Sequence, residues 1–339
     1  MSLLTDLAQS RQTQLDRVAT EASSRVVSLW ASADPSALDE QWDARAPEIN
    51  RVVTAAQVEA ARQATPYIEV ASAGAAGADL VHEAFGGATR EGREVAPELF
   101  SGVRYTKSLI GRGMGVGQAF RAGTALMSIL AANTIRDAGR SADNTAAVSK
   151  GMLWRVRVVQ PGACSRCAIL AGVRGYRADF ERHPACRCTS MPLYDSDTPD
   201  GFFRDPIDYF DSLGEAQQDR VFTKAGAWAI RNGADPAKVV NARRGALSSV
   251  KRDDGTFSLA RLRPTNIGVK ANGTPLTVYA TPEGTTSRGW GATQGRLVKT
   301  GNDRYRRTRA IRLMPEQIVQ MSQDVEHARS LLRKYGYLV

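Results

Sequence analysis

Apolar positions recur along the first thirty residues at Leu4, Leu7, Leu15, Val18, Ala22, Val26 and Leu29. These steps are close to the period of a helix with one buried face. The pattern predicts a first helix that ends at Asp34-Pro35, because proline lacks an amide donor and disfavours helical backbone in the residue before it. A second helix is predicted from near Ser36 through EINRVVTAAQVEAARQA, broken or kinked at Pro47 and closed by Thr65-Pro66. Small, flexible residues mark SAGAAGAD and FGGATREG as loops. Past the turn at GRGMGVG, the spacing of Val116, Phe120, Leu126, Ile129 and Leu130 predicts a long helix to about Ala138, with Ser149 as its outer limit.

The period then changes. LWRVRVV alternates apolar and basic residues, the period of a half-buried strand. Gln160-Pro161-Gly162 reads as a turn, and MPLYD as a short return strand. DTPDGFFRDP is a loop. LGEAQQDRVFTKAGAWAIRNGADPAKVVNARRGA reads as two helices broken at Asn232-Gly233 and Asp235-Pro236. From Ser248 to Thr308 apolar runs are scarce, which predicts an extended arm. A terminal helix opens at Pro315, a residue suited to a first turn. It shows one apolar face of Ile318, Met321, Val325, Ala328 and Leu332, and stops at Gly336. There is no internal repeat.

A chain of 339 residues suggests about two domains, and 42% hydrophobic with 24% charged residues is ordinary for a soluble globular protein. No run of about 18 apolar residues exists, so no transmembrane helix is expected. MSLLTDLAQSRQTQLDR lacks the basic-then-apolar order of a signal peptide. The expectation is a protein kept on the reducing side of a membrane, where clustered cysteines suit metal better than disulfides. The formal net charge is +10, unevenly spread. Residues 1–150 hold 15 basic against 17 acidic groups, and the remainder 30 against 18. Between Gly255 and Leu313 there are 11 basic and two acidic residues. A basic half of this kind points to an acidic partner, with nucleic acid the obvious one, or simply to a solvated face.

All four cysteines and one of the three histidines fall between Cys164 and Cys188, in CSRC and HPACRC. Cys164 and Cys167 have the C-x2-C spacing that lets two thiolates bind one ion. His183, Cys186 and Cys188 form a second compact group. Five candidates compete for the four positions of a tetrahedral zinc: Cys164, Cys167 and Cys186, with either His183 or Cys188 as the fourth. Zinc binding at such a site supplies about 10 kcal/mol or more of local folding energy. A redox dithiol would want a βαβ setting and leaves the second group unexplained. Catalytic zinc would want an open position and a carboxylate base; Asp179 and Glu181 lie near in sequence, but both also read as solvated residues. GMGVG lacks the preceding strand and the later acid of a dinucleotide loop, and reads as a helix entry.

PGACSRCAILAG followed by FERHPACRC and a nearby proline resembles the phage Mu protein F-like (MuF) family of minor head proteins. The likeness covers about Trp154 to Leu193, with the helix of about Val116 to Lys150 leading into it. Cys164, Cys167, His183, Cys186 and Cys188 all stand at motif positions. More loosely, AIRNGADPAKVVNARRG and RLMPEQI…LLRKYGYL resemble longer minor head proteins of actinobacterial phages. The resemblance implies a virion component inside the capsid, made in the host cytoplasm. Its expected partners are the portal protein, the major capsid or scaffold protein and non-specific DNA, with no membrane in the assembled head. It carries over no catalytic residue.

The expected fold is α+β and mainly helical, with a small zinc-stapled β module between helical N- and C-terminal regions. The divisions are 1–110 (helical), 111–198 (long helix and Cys/His knot) and 199–339 (basic, with an extended arm). Arg304, Arg306, Arg307 and Arg309, around Tyr305, are the expected phosphate contacts of that arm. The rival reading is a capsid maturation protease, which needs a His-activated nucleophile. Only His82 and His327 remain outside the cluster, and neither sits in a nucleophile motif. A zinc-containing DNA-binding regulator would want a recognition helix after the cluster, where a proline-rich loop stands instead.

Overall fold

Helices dominate the computed structural model, which describes residues 3–159, 163–177, 180, 182, 186–197, 199–251, 257–283, 297–298 and 307–338. The chain divides into two compact units. The first is built mainly on Met1–Gln160 and Ala171–Arg204, the second mainly on Asp205–Arg252 and Phe257–Val339.

In the first unit α1 (Leu3–Ala31), α2 (Leu38–Arg62), α3 (Ala64–Ala71), α4 (Val95–Leu99) and α5 (Ser101–Gly111) surround α6 (Val116–Ser149). α1 ends just before Asp34, whose carboxylate accepts from the Ser36 amide. Pro47 does not break α2, which runs through it. Pro66 does not close a helix either. It lies in the first turn of α3, where the missing amide would have had no helical partner. The core joins Trp30, Trp42, Ile49, Val53, Leu99, Met127 and Ile135. Trp30 meets Trp42 edge-on with centroids 6.0 Å apart.

Close helix approach explains the many small residues of α6. A Cβ on Gly139 would run into the Leu15 side chain and come within 3.2 Å of the Ala60 Cβ. Arg11 crosses the same gap. It is fully buried and grips Asp143 through Nε and Nη2, the latter at 2.8 Å, while Nη2 also reaches the Ala60 carbonyl at 2.9 Å. Burial pushes the Asp143 carboxyl up, and the Arg11 guanidinium pulls it back down.

After α6 comes a three-stranded antiparallel sheet, ordered β2-β1-β3, of β1 (Trp154–Val158), β2 (Arg174–Tyr176) and β3 (Thr189–Leu193). Val156 pairs with Met191, and Val158 with Thr189. The strand expectation for LWRVRVV holds, but not its solvated side. Arg155 and Arg157 are buried as well as Val156 and Val158. Arg155 Nη1 donates to Asn144 Oδ1 at 2.7 Å, and the Arg157 guanidinium lies 4.9 Å from the Phe180 ring centroid. Val156, Val158, Met191 and Leu193 form a second core with Ala8, Tyr67 and Ala147. Tyr67 Oη donates to the Ser190 carbonyl at 2.9 Å.

The second unit departs further from the pattern. α8 (Pro206–Asp211) comes first. The predicted single helix before Asn232 is then two, α9 (Glu215–Phe222) and α10 (Lys224–Arg231). They part at Thr223, a non-glycine residue at φ +70°. Its hydroxyl accepts from the Gly226 amide and from Arg243, and donates to Glu316 at 3.1 Å. These bonds hold a backbone conformation, φ +70° with ψ 157°, that is nearly confined to glycine and costs about 1–3 kcal/mol. α11 (Pro236–Ala246) follows, capped by Asp235.

The stretch read as an extended arm carries strands. β4 (Leu247–Lys251) pairs with β5 (Phe257–Leu262). A second sheet is ordered β6-β7-β9-β8, from β6 (Pro264–Val269), β7 (Pro275–Glu283), β8 (Leu297–Val298) and β9 (Arg307–Leu313). Few of their residues are apolar because much of the β6–β7 hairpin is solvated on both faces. The predicted terminal helix is also two, α12 (Pro315–Met321) and α13 (Val325–Lys334). Asp324 caps α13, accepting from the His327 amide. That break leaves Met321 and Val325 exposed, while Ile318, Ala328 and Leu332 are buried. Gly336, at φ +67°, stops α13 as expected. No helix among the described residues is long and apolar enough to cross a membrane.

Candidate metal centre

A single turn, α7 (Ser165–Ala168), presents the first cysteine pair. Cys164 stands before the turn in extended conformation, and its carbonyl accepts from the Cys167 and Ala168 amides. This tight turn directs Cys167 inward, where it is buried, and leaves Cys164 exposed. The return segment into β3 carries Cys186 and Cys188, both buried. The Sγ atoms of Cys167, Cys186 and Cys188 lie within 4.8 Å of one another. None of the four cysteines is in a disulfide.

These three buried thiols can hold a metal ion. Thiolates at tetrahedral zinc, each about 2.3 Å from the ion, stand about 3.8 Å apart. The observed spacing is therefore within about 1 Å of a closed site. A soft, all-sulfur donor set suits zinc or another thiophilic ion and not calcium or magnesium, which take oxygen. Of the five expected ligands the structure gathers Cys167, Cys186 and Cys188, and places Cys164 outside that group. His183, like Asp179 and Glu181, lies outside the described residues.

The cluster has a charged neighbour that the cysteine spacing did not reveal. Arg140, buried on α6, donates from Nη2 to the Cys186 carbonyl at 2.8 Å and from Nη1 to Asp137 Oδ1 at 3.0 Å. Burial pulls its guanidinium below the ordinary range and Arg182 adds to this, while Asp137 and Cys186 push it back up. Arg140 and Cys186 share the wall of a cleft of about 290 Å³ with Arg182, Leu126 and Ile129. The signal in the sequence was TIRDAGR, which sets Arg136 and Arg140 one turn apart in an alanine-rich helix.

The other candidates are scattered. Arg304 and Arg306 lie outside the described residues, and Arg307 and Arg309 enter only as backbone positions of β9. Arg307 is paired with Glu283 and with Val298 across the sheet. Arg312, at the end of the same basic run, is buried beneath Tyr337. His82 Nε2 is 2.9 Å from Thr65 Oγ1 at the surface, and His327 Nδ1 accepts from the Gln323 amide, also in solvent. Comparisons with protein-family models, curated proteins and solved structures return no match.

Proposed function

We propose that the chain is a minor head protein of a tailed bacteriophage, of the Mu protein F-like type, acting inside the head near the portal. It aids head assembly and touches packaged DNA. The observation that carries this reading is the cysteine segment itself. After a long helix, Cys167 on one side of β2 and Cys186 and Cys188 on the other lie in the connections of a three-stranded sheet, and these three buried thiols converge. Zinc is the ion we assign, with a structural role. Three thiolates and a fourth ligand close a tetrahedral shell and leave no position for a substrate. His183 and Cys164 are the candidates for that fourth place. The surplus of basic over acidic residues between Gly255 and Leu313 supports contact with DNA through phosphates, without reading sequence.

The test is co-expression with the portal and coat proteins of the phage that carries it, followed by sedimentation of the assembled heads. The chain is expected to sediment with portal-containing heads and to bind isolated portal. Absence from heads together with no portal binding overturns the assignment. Coat protein whose N-terminus is cleaved only when this chain is present would favour the maturation-protease reading instead.

A further inference from the structure

We propose that Arg140 is the countercharge and positioning residue of the cysteine centre, the group that lets three buried thiolates share one divalent ion. The inference rests on the metal reading above and goes beyond it to a residue outside the cysteine motif. A divalent ion with three thiolates carries a net charge of −1 when the fourth ligand is a neutral imidazole, and −2 when it is a fourth thiolate. Buried charge of that kind is costly unless a cation stands beside it.

Arg140 meets the requirement geometrically. It is 4% exposed and lies on the rigid helix α6, and its Nη2 holds the carbonyl of Cys186 itself at 2.8 Å. The bond fixes the backbone from which one Sγ projects, as outer partners of metal ligands do. The second anchor is Asp137, one turn back on the same helix, which takes Nη1 at 3.0 Å and is itself partly exposed. This pairing orients the guanidinium without enclosing it between two carboxylates. Arg136 supplies the contrast. It is equally buried on α6, but its Nε is spent on Asp16 at 2.7 Å. One buried arginine welds helix to helix, and the other faces the cysteine loop.

The experiment uses full-length protein stripped of metal and titrated with Co(II) alone against a chromophoric chelator. The sulfur-to-cobalt charge-transfer band reports how many thiolates bind. Arg140→Gln is expected to weaken the metal about 10- to 100-fold while the band per bound ion is kept. Arg140→Lys, which keeps the charge, is expected to recover most of that loss. Arg136→Gln should lower stability and leave metal affinity within about threefold. If Arg140→Gln fails to fold, Asp137→Asn decides. Removing a negative charge near an anionic centre should tighten the metal, whereas a purely structural pairing predicts weakening. Wild-type affinity in Arg140→Gln, or equal losses in Arg140→Gln and Arg136→Gln, overturns the inference. A wild-type chain that binds no cobalt overturns the metal reading on which it rests.

Discussion

Each unit buries an arginine against a tyrosine, and the two arrangements are built on different chemistry. In the first, Arg11 lies 5.8 Å from the Tyr67 ring centroid and grips a carboxylate, Asp143, 132 positions away in sequence. In the second, Arg312 lies 3.9 Å from the Tyr337 centroid and donates to the carbonyls of Tyr335 and Gly336, at the end of α13. The first is an ion pair that welds α1 to α6. The second is a cation held directly by a ring and by the carbonyls at the negative end of a helix, with the buried Glu283 carboxylate acting on it only through its charge, and it fastens the last residues of the chain to β9. A buried ion pair fails when either partner is lost, since the survivor is an uncompensated charge. A cation on a phenol and carbonyls fails when the geometry of the fork is lost or when neighbouring groups titrate.

The comparison breaks most sharply at Arg11. Arg11→Ala leaves Asp143 buried and alone, and should cost the first unit about 3–5 kcal/mol, read as a lowered midpoint in urea. A loss below about 1 kcal/mol would mean that the pair is not a weld.

The next effect is alkaline. Burial lifts the Tyr337 phenol from 10 to about 12, against the pull of Arg312 and Arg243. Its raised value means the folded chain keeps the proton where the unfolded chain has lost it. Stability is therefore intact below pH 10 and falls by about 3 kcal/mol between pH 10 and 12. Tyr337→Phe should lose about 1 kcal/mol at neutral pH, for the bond to the Leu313 carbonyl, and should lack that share of the alkaline decline. Parallel pH profiles for the two proteins would contradict the assignment.

Arg312→Lys keeps the charge but loses the planar fork over the ring, and should cost about 1–2 kcal/mol in thermal unfolding. The smallest expected change in stability comes from Arg304, Arg306, Arg307 and Arg309 together changed to alanine, within about 0.5 kcal/mol per site. The same variant should show a shallower dependence of DNA affinity on salt, by about 0.9 in the log–log slope for each phosphate no longer neutralised. An unchanged slope removes these residues from the DNA surface.

How much of this was legible depends on whether a pattern is local. The period of α1 and α6 is carried by their own residues, so both could be read directly. Pro66 misled because its effect depends on where in a helix it falls, and the first turn tolerates it. Arg155 and Arg157 misled because alternation shows two faces of a strand without showing that both are covered. The division at Thr223 depends on Arg243 and Glu316, far along the chain, and no window around FTKAG holds them. The β6–β7 hairpin lacks an apolar signature because much of it lies in solvent on both faces. In the candidate metal centre, that cysteines from two short motifs would gather was plain from spacing. Which thiols converge was not, because the turn at Ser165–Ala168 faces Cys167 inward and Cys164 outward. Arg140 was hidden because a charge on a helix is usually a solvated one.

The cysteine segment belongs to neither kind of interior. It gathers three buried thiols in the connections of a three-stranded sheet. The most direct test is the metal content of full-length protein purified without added metal, beside Cys167→Ser/Cys186→Ser prepared identically. About one equivalent of zinc per chain is expected in the wild type, with loss of it in the double variant. Full stoichiometry retained in the variant, or a wild-type chain that neither holds zinc nor takes it up, would contradict the centre described here.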